Sequence, residues 1–248
     1  QLNTNPEATI NGNHATVNVG TQGVHLLTFW AVDNAGNQES PHTIELRIDT
    51  ALPLLNMPTL NTAYIYNDLL SFNFDAWDVL SGIADVSATL NGVPISSGAS
   101  LTLTKLGTNT FTLIATDLAG NTSTQTIAFE VQYIFSDFLP PIQPDSSKVF
   151  KLGSTIPIKF QLMDFNNIYV STAKATLTLQ QFSNDTPVGE PIVVESNSGA
   201  DLGNMFRYDF ENEQYIFNLN TKSLSQGIWQ LQVHLDDGTT KTGLIRLK

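Results

Sequence analysis

Cysteine is absent from the 248 residues. Disulfide staples, thiolate nucleophiles and zinc–thiolate sites are excluded together. Positive charge is scarce: 11 Lys and Arg stand against 23 Asp and Glu, a net charge of −12. Without a Lys/Arg-rich stripe, neither nucleic acid nor an anionic membrane surface is an expected partner. No apolar run approaches the ~18 residues that cross a bilayer, so no membrane insertion is expected in this segment. The residues after Gln1 do not read as a signal peptide. Helical periodicity is hard to find, and charged residues amount to only 14%, a composition poor in the Glu and Lys that helices draw on.

What the chain does contain is period-2 alternation, with enough apolar residues (41%) for real cores. Ile44, Leu46 and Ile48 alternate with Glu45 and Arg47; Ile127, Phe129 and Val131 alternate with Ala128 and Glu130. Ile156, Ile158, Phe160 and Leu162 alternate with Pro157, Lys159 and Gln161, and Trp229, Leu231, Val233 and Leu235 with glutamines and His234. Turn signals such as Asn91-Gly92 and Asp237-Gly238 separate these runs. Many short strands at this spacing predict an all-β fold of antiparallel β-sandwiches.

One heptapeptide occurs twice, as Ala-Val-Asp-Asn-Ala-Gly-Asn at 31–37 and Ala-Thr-Asp-Leu-Ala-Gly-Asn at 115–121. The offset of 84 residues places Gly23 on Gly107, Leu27 on Phe111 and Phe29 on Leu113. That period matches one seven-stranded sandwich and exceeds a solenoid repeat. Proline-bearing links at 49–53 and 139–144 separate three expected blocks: 1–52, 53–132 and 133–248. Such linkers favour a semi-rigid string of domains. The first block offers strands near 7–10, 15–19, 25–33 and 43–49, about four where the middle block is expected to supply about seven. Its core is therefore expected to be partly uncovered, with the chain continuing upstream or another segment or subunit completing it. The final strand runs to Lys248, which reads as a natural end.

The heptapeptide predicts a hairpin corner. Asp33 and Asp117 end strands and can accept backbone N–H bonds; Gly36 and Gly120 supply positive φ; Asn37 and Asn121 tolerate the turn that follows. On these residues the resemblance rests. The stretches from Gly23 to Pro53 and from Gly107 to Val131 resemble the last two strands of bacterial immunoglobulin-like modules strung in tandem on secreted and surface proteins. Asp78-x-x-Ser81-Gly82 is similar to a recurrent D-x-x-S-G stretch of the same modules. The last block resembles a PxKF-type module, with Pro157-Ile-Lys-Phe160, the run from Phe206 and the ending from Trp229. The resemblance implies tandem immunoglobulin-like antiparallel β-sandwiches in an extracellular or cell-surface setting. It names no ligand.

Catalysis finds no support in the residues. His14, His25, His42 and His234 lie far apart, and no G-x-S-x-G elbow, P-loop, dinucleotide fingerprint or HExxH occurs. Catalytic and cofactor-binding residues are thus expected to be none, and no cofactor is required. Calcium is the one metal to weigh. Asp75, Asp78 and Asp85, or Asp33 and Asp49 near a domain junction, could supply hard oxygens, although aspartates at turns more commonly serve backbone N–H groups. If Leu27, Phe29 and Ala31 face inward, Trp30 points outward; if Phe72, Phe74 and Ala76 face inward, Trp77 points outward too. These two tryptophans could stack on sugar or bury at a domain interface. Lys159 is expected on the outer face, able to pair with Asp209, and Pro157 implies a sheet edge. The expected function is a non-catalytic spacer, stalk or adhesion region whose partners are the neighbouring domains of its own polypeptide. A carbohydrate-binding appendage of an extracellular hydrolase, touching surface glycan, is one alternative. A surface-fibre subunit completed by strand exchange between identical copies is the other.

Overall fold

The computed structural model describes residues 2–3, 5, 8–142, 148–183, 186–196, 198–199 and 203–248. The chain folds as tandem immunoglobulin-like antiparallel β-sandwiches, and among the described residues there is no helix. It separates into two compact units, one holding 1–58, 72–98 and 111–126, the other 59–71, 99–110 and 127–248. The expected block 53–132 contributes to both units; 133–248 lies wholly in the second.

The first block forms a single antiparallel hairpin of β1 (Gly23–Phe29) and β2 (His42–Ile48), registered Leu27 to Ile44 and Phe29 to His42. The strands expected at 7–10 and 15–19 are not formed. Residues 8–10 and 15–19 are irregular, and Glu7 lies outside the described residues. β1 also stops four residues short of Asp33, with a Val32–Gln38 bridge closing the corner. The reason is packing. Phe29 is 48% and Ile44 44% exposed, so this face of the hairpin is left open among the described residues. A two-stranded sheet without a covered face has little to hold further strands. The expected orientation reverses here: Phe29 is exposed and stacks on His42, while Trp30 is half-buried.

The middle block supplies β3 (Leu54–Asn56), β4 (Ala63–Ile65), β5 (Leu69–Phe72), β6 (Asp75–Trp77), β7 (Ile83–Leu90), β8 (Val93–Ile95), β9 (Ala99–Thr102), β10 (Gly107–Asp117) and β11 (Thr122–Gln132). They form a five-stranded sheet ordered β4-β11-β10-β7-β8 and two pairs, β3-β6 and β5-β9. β10 alternates strictly, burying Asn109, Phe111, Leu113, Ala115 and Asp117. Phe72 and Phe74 meet Phe111 with ring centroids 5.6 and 5.4 Å apart.

The last block contains β12 (Ile134–Phe138), β13 (Val149–Phe150), β14 (Thr155–Met163), β15 (Ala175–Ser183), β16 (Thr186–Val193), β17 (Arg207–Asp209), β18 (Gln214–Asn220), β19 (Gly227–Leu235) and β20 (Thr240–Leu247). A sheet ordered β12-β14-β18-β17 and another ordered β13-β20-β19-β15-β16 enclose one apolar core. Ile156, Ile158, Phe160 and Leu162 from β14 and Leu231 and Val233 from β19 are at most 1% exposed. Trp229, also in the core, donates its indole N–H to the Ser225 carbonyl at 3.0 Å. Pro157 does not lie on an edge strand, since β14 is interior to its sheet. Its tolerance comes from register: β12 pairs with β14 only from Phe160 to Met163, so Pro157 has its ladder partner, Asn218, on one side.

Candidate functional site

The repeated heptapeptide builds the same corner twice. Asp33 Oδ1 accepts the N–H groups of Ala35 (2.9 Å) and Asn37 (2.8 Å), and Asp117 Oδ1 those of Ala119 (2.9 Å) and Asn121 (2.8 Å). The Asn37 and Asn121 amides return to Oδ2 of the same aspartates at 2.7 and 2.8 Å. Gly36 and Gly120 sit at φ of +88° and +92°, where a side chain is strained. The flanking ladders match too: Thr28 meets Thr43 at 3.0 Å, and Thr112 meets Thr126 at 3.1 Å. The two corners differ in cover. Asp33 is exposed and Asp117 is 1% exposed. Asp33 is held below the ordinary carboxylate range, first by the Asn37 amide and then by the Asn37 N–H.

A third corner escaped the sequence reading. Asp164 Oδ1 accepts the N–H groups of Asn166 (2.8 Å) and Ile168 (3.0 Å), with Asn167 at φ +60° in the place of glycine. Position 168 is Ile, which has no amide to return, so Oδ2 takes Asn67 Nδ2 instead at 3.0 Å. The signal was an Asp just past the Ile156–Leu162 alternation, with Asn166-Asn167 two and three residues on; the absence of Gly hid it.

At the Asp117 corner three acids converge. Carboxylate oxygens of Asp49, Asp78 and Asp117 lie within 4.8 Å of one another, the one such acidic or imidazole group among the described residues. N–H donors satisfy each of them. Asp49 Oδ1 takes Ala51 N and its Oδ2 takes Ser81 N. Asp78 Oδ1 takes the N–H groups of Leu80, Ser81 and Gly82 at 2.8–3.1 Å. Desolvation raises the Asp78 pKa, but these N–H groups together outweigh it and the carboxyl lies below its ordinary range. Asn121 also reaches the Asp49 carbonyl at 3.2 Å, and Ser123 Oγ donates to the Pro53 carbonyl at 2.6 Å. The arrangement thus does two things: it gathers hard oxygens of the type calcium takes, and it ties residues 49–53 to the corner.

The expected calcium set of Asp75, Asp78 and Asp85 is not assembled. Asp75 is exposed on β6 and accepts the Ala76 N–H, and Asp85 is exposed on β7 opposite Thr116, while Asp78 turns to Asp49 and Asp117. Period-2 geometry explains this: Asp75 alternates away from buried Ala76, and Asp85 pairs with Thr116, which alternates away from buried Ala115 and Asp117. Asp33 and Asp49 lie beyond opposite ends of the β1–β2 hairpin and do not join either. Asp209 turns its carboxylate onto Asn212 and Gln214. Trp77 is 47% exposed and lines an open groove of about 430 Å³ with Gln22, Leu52, Leu54, Val79 and Leu80. Trp30 does not line it.

No protein-family model matches the sequence, and no curated protein matches it. Among solved structures it is similar to the Bacteroides ovatus mixed-linkage glucan utilization locus SGBP-B in complex with a mixed-linkage heptasaccharide, at 12% identity and TM-score 0.27, over 81% of this chain and 48% of that one. It is similar to the Clostridium thermocellum CbhA fibronectin(III)-like modules at 13% identity and TM-score 0.26, over 79% and 94%. The N-terminal eight Ig domains of Down Syndrome Cell Adhesion Molecule align at 16% identity and TM-score 0.33, over 92% and 28%. The chain spans less than half of the first of these and less than a third of the last. The immunoglobulin-like fold is carried by the sheets themselves.

Proposed function

We propose that this chain is a non-catalytic tandem immunoglobulin-like region of a secreted or cell-surface protein, acting as a spacer or stalk, with a PxKF-type module at its C-terminal end. One observation carries the reading. The linker at 49–53 is not a free hinge: Asp49 bonds through both carboxylate oxygens and its carbonyl, and Pro53 through its carbonyl. A region that keeps distance needs stiff joints, and a proline-bearing linker fixed by hydrogen bonds supplies one. Small-angle X-ray scattering tests it. A stalk gives a radius of gyration well above the ~18 Å of a compact chain of this length, and an Asp49→Ala, Asn121→Ala variant broadens the distance distribution. A compact particle unchanged by the variant would overturn the proposal.

A second reading has its own support in Trp77, whose half-exposed ring borders an open apolar groove. Stacking on a sugar ring is the use such a platform serves. Retention on immobilised polysaccharide that drops in Trp77→Ala favours this role; equal retention of both proteins rejects it.

A further inference from the structure

The segment Ala8-Thr-Ile-Asn-Gly12 lies exposed and without regular structure before β1. Its near-copy Ala88-Thr-Leu-Asn-Gly92 ends β7, and there it pairs with β10: Leu90 opposes Phe111 and Ala88 opposes Leu113. β1 is the counterpart of β10, as the matching corners and the matching Thr–Thr ladders establish. Fourteen residues separate Gly92 from Gly107 and ten separate Gly12 from Gly23, so the two stretches differ by a four-residue deletion in the intervening loop.

We infer that residues 8–12 are a strap with a second seat, the outer edge of β1, where Ile10 opposes Leu27 and Ala8 opposes Phe29. That edge now holds a bridge from Leu2 to Leu27 and the hydrogen bonds of Asn3 with Leu26. Leu2 therefore occupies the place that the repeat assigns to Ile10. The driving force is burial: Ile10 is 53% and Phe29 48% exposed, and pairing would cover apolar surface on both while satisfying an edge that otherwise invites foreign strands. Seating the strap widens the hairpin to three strands and displaces Leu2 and Asn3. This goes beyond the stalk reading, because it concerns how the first module closes and holds whether or not the chain keeps distance.

The absence of cysteine makes the test clean. Four double variants are made in the full chain: Ile10→Cys with Leu27→Cys, Ala8→Cys with Phe29→Cys, Ala8→Cys with Leu27→Cys, and Leu2→Cys with Leu27→Cys. Each is oxidised under the same glutathione buffer, and disulfide formation is followed by gel mobility. Opposed strand positions meet disulfide geometry and positions two residues out of register do not, so the 10–27 and 8–29 pairs should close at least about tenfold faster than 8–27. Equal rates for these three pairs would mean an unregistered chain and overturn the proposal. Closure of the 2–27 pair alone would do the same, and circular dichroism of each reduced variant confirms that the fold is retained.

Discussion

Asn67 gives its side-chain amide to Asp164 Oδ2 at 3.0 Å, joining residues 97 apart in sequence. This bond, followed by the N–H groups of Ile168 and Asn166, holds the Asp164 carboxyl below its ordinary range against desolvation, which raises it. The carboxylate is the form the fold binds. Its contribution is present above the ordinary aspartate pKa of ~3.9 and is lost as pH falls through the lower folded value. Asp164→Asn keeps an acceptor oxygen and removes the charge. Urea unfolding at a series of pH values should show wild type more stable than Asp164→Asn at pH 7, with the gap closing below pH ~4. A gap that stays constant down to pH ~2 rejects the assignment.

The two heptapeptide corners allow a cleaner comparison, since their hydrogen bonds are nearly superimposable while their burial is not. Asp117→Ala removes a carboxylate that is 1% exposed and leaves the partly buried N–H bonds of Ala119 and Asn121 without their acceptor. A loss of about 2–4 kcal/mol is expected from such orphaned donors. Asp33→Ala removes the same bonds at an exposed corner, where water replaces them, and should be much milder. Chemical denaturation of the two variants checks the order; equal losses would show that burial does not set the cost.

The corners were legible in sequence because they depend on local chemistry. An aspartate bonding its own turn, a glycine at positive φ and an asparagine returning its amide all lie within five residues. The strands of β11, β14 and β19 were legible for a similar reason, since period-2 alternation survives wherever both faces differ in burial. The first block was harder to read. Alternation in Leu27, Phe29 and Ala31 announces a core that the hairpin lacks, so Phe29 and Ala31 end up exposed and Leu27 and Trp30 half-buried. The meeting of Asp49, Asp78 and Asp117 was hidden because their separations in sequence reflect loop closure and not strand period. Pro157 misled for the opposite reason: a proline reports a missing donor at one ladder position, and here the neighbouring strand had already ended.

Trp77 and Trp229 should separate by solvent access. Trp77 is 47% exposed, whereas Trp229 is 7% exposed with its indole N–H bonded to Ser225. Acrylamide should quench Trp77 efficiently and Trp229 poorly, as read from single-tryptophan variants. Trp77→Ala should leave the unfolding midpoint almost unchanged. Trp229→Ala opens a large hole in a packed core, a change that typically costs ~3–5 kcal/mol. A destabilised Trp77→Ala protein would instead mean that the groove side of Trp77 carries packing.

Gly243 in β20 is the last position the packing singles out. A Cβ there would stand 2.8 Å from two ring carbons of Phe138, and its φ lies outside the left-handed region, so the conflict is purely steric. Phe138 is itself buried, 7% exposed, and its ring contacts that of Phe135, so it has little freedom to withdraw. Gly243→Ala should therefore destabilise by about 1–3 kcal/mol, as overpacked cores do. Gly20→Ala, with open space around it, serves as the control and should be near neutral. Shortening the ring relieves the clash, so Gly243→Ala combined with Phe138→Leu should lose less than the sum of the two single changes. Strictly additive losses in a double-mutant cycle would show that the ring moves aside freely and that the close approach of β20 to Phe138 places no demand on residue 243.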